Sequence, residues 1–195
     1  MTAAGSQRGL KRSDVTKATI LDAARKRFAV DGFQRATIRA IATDASIDPA
    51  MVMRYYLNKE GLFAAAVDVD LGLPDLEATD EGGLGELLMR HVLTVWEHPP
   101  GNELLLTLLR SSLTDADSAD RLRDVFARQV TPLVMRIGDP LDAPRRAGLI
   151  ASQVLGLALC RHVLKLPPVV AMSEQQLLAE IAPTLQRYLT SSPSG

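Results

Sequence analysis

Cysteine is nearly absent: Cys160 is the single one in 195 residues. One thiol excludes an internal disulfide and a cysteine-cluster metal site, and it fits a reducing cytoplasm. Aromatic side chains amount to only 4%, so any core must be largely aliphatic and alanine-rich, as suits close-packed helices. Long apolar runs are missing too. The most apolar stretch, residues 147–160, contains Ser152 and Gln153 and lies between Arg145, Arg146 and Arg161. It falls short of the roughly 20 apolar residues that span a bilayer, so it reads as a buried or partner-facing helix, and no membrane contact is expected. Alternation with period two, the mark of a half-buried strand, is never sustained. Residues 1–12, MTAAGSQRGLKR, show no apolar leader, and the expected location is cytoplasmic.

What is present is the composition of an ordinary folded protein, 47% apolar and 23% charged, long enough for one large core or for a small head on a larger body. The net charge of −1 conceals an asymmetry: residues 1–63 carry 11 Lys and Arg against 6 Asp and Glu, whereas residues 64–195 carry 11 against 17. A basic head on an acidic body is expected where only one end meets a polyanion.

The basic part holds a densely punctuated stretch at residues 37–60, TIRAIATDASIDPAMVMRYYLNKE. Thr37 can cap a helix in which Ile38, Ile41, Ala42 and Ala45 share an edge. Ser46, Ile47 and Asp48 then turn the chain, with Ile47 as an apolar plug. Asp48 caps the next helix, and Pro49 takes its first position, where a missing N–H costs nothing. Val52 and Tyr56 face inward, which leaves Ala50, Met51, Met53, Arg54 and Tyr55 outside. Methionine and alanine can press on thymine methyl groups in a major groove, while arginine and tyrosine reach phosphates or base edges. Packing of Met51 and Met53 into a core is the alternative. Asn58 and Lys59 start a further helix expected to run to about Leu71, with Lys59 placed to hold a phosphate.

Upstream, Ser13 and Asp14 are expected to cap a helix with an apolar face of Val15, Ala18, Leu21, Ala24 and Phe28, closed at Gly32. Arg25, Lys26 and Arg27 lie off that face, either solvated or on phosphate. Downstream, every run reads as helical. Pro99 and Pro100 stop one helix, and Pro132 should kink another before Ile137. A long helix is expected over residues 143–166. The last begins with Ser173 and Gln176 as a capping box and should break near Ala182, ahead of Pro183. The expected organisation is a flexible basic arm (1–12), a helix-turn-helix domain with a connecting helix (13–71), an acidic linker (72–83) and a helical body (84–195). The fold class is therefore all-α, an N-terminal three-helix head with a larger helical regulatory and dimerisation body.

Residues 13–63 resemble the DNA-binding head of the tetracycline-repressor (TetR) family of bacterial regulators. The resemblance rests on Thr37, Arg39, Ile41, Ala42, Ala45, Ile47, Val52, Tyr55, Tyr56, Lys59, Glu60, Leu62 and Phe63. It implies that Thr37 meets phosphate, that Arg39 reaches a base, that Pro49, Ala50, Met51 and Met53 face the groove, and that Tyr55 and Lys59 touch the backbone. Arg54 joins them from its outward position. The resemblance further implies a homodimer in which the last two helices of each body pair, with Leu149, Gly156, Leu178, Ile181, Leu185 and Tyr188 as candidate interface residues. Ser46, Met51 and Met53 depart from the Gly, Thr and Tyr of many members, which points to an operator read through apolar contacts.

The function expected is a ligand-responsive dimeric repressor. Residues 37–55 of each copy would enter the major groove of a bipartite double-stranded operator, and a small, mostly apolar effector in the body would release it. Met89, Val92, Trp96, Leu105, Leu109, Phe126 and Met135 are candidate pocket residues, each equally readable as core. The alternative is a helical protein-interaction module without specific DNA binding. An enzyme is not expected: Cys160 and His162 would point about 200° apart on a helix, and His91 and His98 have no third residue at metal-ligand spacing. No cofactor and no catalytic residue is implied.

Overall fold

The computed structural model describes residues 3–97 and 101–190, and every regular element among them is helical. Pro99, Pro100 and His98 lie outside the described residues. The chain divides into two compact units, Met1–Asp68 and Val69–Gly195.

The first unit holds α1 (Ala3–Arg35), α2 (Ile38–Ala45), α3 (Pro49–Tyr56) and α4 (Lys59–Ala66). Helix α1 begins upstream of Ser13 and Asp14, which therefore do not cap it. It is interrupted at Gly32, whose φ of 73° lies where L side chains are strained,. Its buried face is Ile20, Ala23, Ala24 and Phe28, while Val15 is 67% exposed; the expected face holds from Ala24 onward and is out of register before it. Phe28, Phe33 and Phe63 form the centre of this unit, with Phe63 edge-on to Phe28 at 4.9 Å and 4.8 Å from Phe33. Three of the chain's four phenylalanines are thus spent on the smaller unit.

Helix α4 stops at Ala66, well before Leu71. The Arg25 guanidinium donates to the Ala66 carbonyl at 3.1 Å, closing the helix end as a cation does. Arg27 forks onto Asp44 at 2.7 and 2.6 Å and also meets Asp31, and Lys26 pairs with Asp22. The cationic run 25–27 is therefore engaged within its own unit.

The second unit holds α5 (Leu84–Glu97), α6 (Gly101–Ser112), α7 (Ala116–Val125), α8 (Thr131–Met135), α9 (Ala143–Ala158), α10 (Pro167–Val170) and α11 (Glu174–Thr190). A π turn, Phe126–Val130, joins α7 to α8, with the Thr131 N–H reaching back to the Phe126 carbonyl. This is the form the Pro132 distortion takes: the wider turn relieves the clash of the proline ring with the preceding carbonyls. A second π turn, Leu159–Val163, extends α9. The acidic stretch 72–83 is no free linker, because Leu76 within it is fully buried.

The expected break at Pro183 is absent, and α11 is one helix. Its capping box forms as read, Ser173 N–H to Gln176 Oε1 at 2.8 Å and Gln176 N–H to Ser173 Oγ at 3.2 Å. Beyond the proline, Gln186 accepts from the Gly85 N–H and donates to the Glu81 carbonyl, each at 2.7 Å. Gly85 lies so close to α11 that a Cβ there would meet the Ala182 carbonyl oxygen. Packing along Leu177, Ala182, Leu185 and Leu189, all buried, outweighs the hydrogen bond that Pro183 removes. Arg146, only 2% exposed, fixes the far end of this unit. Its guanidinium donates to the carbonyls of Leu189 (2.5 Å), Asp139 (3.0 Å) and Val134 (3.3 Å).

Candidate nucleic-acid interface

Each short helix of the first unit is set by its own cap. Thr37 Oγ1 accepts the Ala40 N–H at 3.2 Å to begin α2, and Ser46, in the left-handed region at φ 55°, ends it by donating its N–H to Ala42 and Thr43. Asp48 Oδ1 accepts the Ala50 N–H at 2.7 Å, with Pro49 in the first turn of α3. Asn58 Oδ1 accepts the Gly61 N–H at 2.6 Å and opens α4. Val52 is fully buried and holds α3 down. The rotation of α3 follows: Pro49, Ala50, Met53 and Arg54 are exposed, and Met51 and Tyr55 are half-buried. Met53, at 43% exposure, resolves its two readings in favour of the outer face. Thr37 and Arg39 are exposed on α2.

Tyr55 is the best-positioned polar group on this side. Its phenol accepts the Ser13 hydroxyl at 3.4 Å, and the Lys17 ammonium and Arg54 guanidinium each stand 5.6 Å from its ring centroid, within cation–π range. Lys17 is a residue that reading the sequence missed. The available signal was its spacing of four from Ser13, which puts both on one side of α1. The neighbouring Tyr56 hydroxyl donates to the Lys17 carbonyl at 3.3 Å, and burial raises its phenol above the ordinary range.

Lys59, expected to hold a phosphate, is turned largely into its own unit. Its ammonium donates to the carbonyls of Phe33 (3.0 Å) and Gln34 (3.4 Å) and lies 4.5 Å from the Phe33 ring centroid. It ties the end of α1 to the start of α4, and of its three donors two are turned inward.

In the second unit an apolar cavity of about 40 Å³ lies among α5, α6, the first π turn, α8, α9 and residues 71–73. Val92, Trp96, Leu105 and Phe126 line it, as expected, together with Leu71, Leu73, Leu88, His91, Val95, Val130, Leu133, Ile150 and Val154. Met89 and Leu109 are buried in the core and are not among its lining, and Met135 is 46% exposed. Met135 closes the five-residue helix α8, where the register set by the π turn points it outward.

On α9 and α11, Leu149, Leu178, Ile181 and Tyr188 are half-buried, and Gly156 is exposed with open space where a Cβ would stand. Leu185 is a correction: at 0% exposure within its own chain, it belongs to the packing of α11 on α5 and offers nothing to a partner. Cys160 is half-buried, and His162 stacks on Trp96 beside Glu97. Among the described residues no three His, Cys, Asp or Glu side chains could hold a metal ion, and no helix is long and apolar enough to cross a membrane.

Residues 20–66 match the family described as bacterial regulatory proteins, tetR family, and residues 82–189 match the family described as tetracyclin repressor-like, C-terminal domain. Among solved structures, a TetR-family regulator from Streptomyces coelicolor is 28% identical over 90% of this chain and 95% of its own, with a TM-score of 0.62. GusR of Salmonella enterica is 21% identical over 88% of this chain and 95% of its own, with a TM-score of 0.68. The fatty acid degradation regulator FadR of Bacillus halodurans is 18% identical over 87% and 97%, with a TM-score of 0.64. The last two show a common fold. No curated protein matches the chain.

Proposed function

The chain belongs to the TetR family of DNA-binding transcriptional regulators, and from that premise we propose that it is a dimeric repressor released from its operator by a small apolar effector. The observation that carries the reading is the outer side of α3. A helix fixed by Asp48 and buried Val52 presents Pro49, Ala50, Met53 and Arg54, with Arg39 exposed on α2 and Lys17 beside Tyr55. Short apolar side chains suit thymine methyl groups, and the cations suit base edges and phosphates. Thr37, Met51 and Tyr55 complete the contact, and Lys59 meets the backbone through its remaining donor.

A helix of eight residues reads too little DNA for a specific site, so the reading requires two copies, one per half-site. The proposed interface is the outer face of α9 and α11 through Leu149, Gly156, Leu178, Ile181 and Tyr188. The effector enters the cavity of the second unit. Family regulators act by binding and not by catalysis, and the chain is proposed to work in the cytoplasm.

The test is fluorescence anisotropy on the intergenic DNA beside the gene over a salt series. Expected is specific binding whose affinity falls steeply with salt, by about 0.9 log units per log unit of salt for each phosphate contacted. Arg39→Ala should weaken it by about 1–3 kcal/mol and relax base preference at one position per half-site. Binding insensitive to salt, or none, points instead to a helical protein-interaction module.

A further inference from the structure

The wall of the body cavity is uneven. Leu71, Leu73, His91, Val95 and Phe126 are half-buried, whereas every other lining residue is buried, so the outer side lies there. Of these five, Leu71 and Leu73 sit on a stretch, residues 69–73, that belongs to no helix and makes no ladder of its own. Side chains hold it in place. Gln129 clamps it edge-on, Oε1 accepting the Leu71 N–H at 2.8 Å and Nε2 donating to the Val69 carbonyl at 2.7 Å. His91 Nε2 lies 2.8 Å from the Leu71 carbonyl; a carbonyl only accepts, so that nitrogen carries the proton. Gln129 stands on the same π turn that supplies Phe126 and Val130 to the lining. One irregular turn therefore provides both a wall of the cavity and the clamp on its outer strap.

Size and polarity narrow what the cavity can take. At about 40 Å³ it holds about three waters, far less than the roughly 300 Å³ of an ordinary ligand pocket, so an effector must move a wall. The helical walls are held by their own backbone ladders, and the strap is the wall held by three side-chain hydrogen bonds. Among the described residues no Asp, Glu, Lys or Arg lines the cavity, and the polar side-chain atoms in its lining are the His91 imidazole nitrogens and the Trp96 indole N–H,. A charged ligand would lose its hydration with no opposite charge to meet it.

We propose that the cavity takes a neutral, elongated apolar molecule with a single hydrogen-bonding group, admitted by displacement of residues 69–73. The group takes the place on His91 that the Leu71 carbonyl gives up. This rests on the reading of the second unit as an effector-binding body.

The test uses two probes with the same rings, neutral N-phenyl-1-naphthylamine and anionic 1-anilinonaphthalene-8-sulfonate, titrated against the full chain by fluorescence, with hydrogen exchange followed by mass spectrometry. The neutral probe is expected to bind at least about tenfold more tightly, and exchange across residues 69–73 to rise about tenfold at saturation as the clamp opens. Gln129→Ala should raise the same exchange about tenfold without probe and speed entry of the neutral one. Should that variant fold poorly, His91→Gln with the wild-type probe comparison carries the same decision. Equal affinity for both probes, no binding of the neutral one, or binding with unchanged exchange at 69–73 overturns the proposal. Salt-dependent DNA binding measured on the same samples separates the two readings. If it persists while the neutral probe fails, only the cavity assignment falls; if it is absent while the probe opens the strap, only the repressor reading falls.

Discussion

The short helices of the first unit and the anchors of the second are set by different kinds of polar contact. In the first, each short helix is started by a side chain two or three residues from the N–H it satisfies: Thr37 to Ala40, Asp48 to Ala50, Asn58 to Gly61. In the second, the decisive side-chain contacts span long stretches of chain. Gln186 reaches 101 and 105 residues back to Gly85 and Glu81, Gln129 reaches 58 and 60 residues to Leu71 and Val69, and Arg146 reaches 43 residues to Leu189. The starts of the short helices in the first unit are thus specified by neighbours in sequence, and the chief anchors of the body by partners that only the fold brings together.

The largest expected effect removes one of the long-range anchors. Arg146→Met keeps much of the volume but strips the carbonyls of Leu189, Asp139 and Val134 of a charged donor. It should cost about 3 kcal/mol, read as a lower urea midpoint with an unchanged slope. A loss under about 1 kcal/mol would mean that apolar packing alone holds the body and that the contrast between the units is superficial.

That contrast also explains what was legible in the sequence. Thr37, Asp48, Pro49 and Asn58 announce helix starts because the residue that caps lies beside the N–H it caps, and the same holds for Ser173 and Gln176. The α2 and α3 faces followed from spacing alone, and so did buried Val52. Pro183 misled because local chemistry says break, while the support that keeps α11 whole comes from Gly85 and Glu81 across the chain. Leu185 looked like part of an outer stripe for the same reason: periodicity gives the width of an apolar face and not which part a neighbouring helix covers. Met135 failed as a pocket residue because a π turn shifts every side chain after it, and Pro132 marks the place of a distortion without giving its form. Lys59 read as a surface cation because the carbonyls it meets, on Phe33 and Gln34, are backbone atoms that any sequence supplies.

Two smaller effects sharpen the comparison from opposite sides. Gly85→Ala places a methyl against the Ala182 carbonyl and the Gln186 N–H, backbone atoms that cannot rotate away, and should destabilise the body by about 2 kcal/mol. Little or no loss of thermal stability would show that α5 and α11 can slide apart. Asp48→Ala removes one local cap, and about 1 kcal/mol is expected. Its signature should be weaker DNA binding out of proportion to the small drop in melting temperature, since α3 frays at the end where Pro49 and Ala50 are exposed. Asp48→Asn should restore binding, and failure to do so would tie the loss to charge and not to the cap.

The shallowest effect is in pH. His162 stacks on Trp96, centroids 6.4 Å apart and planes 12° from parallel, with Nε2 3.4 Å from Glu97 Oε1. Burial pulls its imidazole below the ordinary 6.5; Glu97 opposes that pull, and Arg161 and Arg110 add to it. A histidine kept neutral by the fold binds fewer protons than in the unfolded chain, so stability is complete above about 6.5 and declines as pH falls from there toward the folded value. In the first unit the corresponding group is Asp44, held below its ordinary 3.8 by its hydrogen bonds from Arg27. The contribution of that carboxylate is present above 3.8 and is lost only as pH falls further. Between pH 7 and 5 the body should therefore soften while the pair in the head stays intact. Melting curves of wild type and His162→Gln should diverge at pH 7 and draw together as pH falls below 6.5, and parallel curves would remove His162 as the cause,.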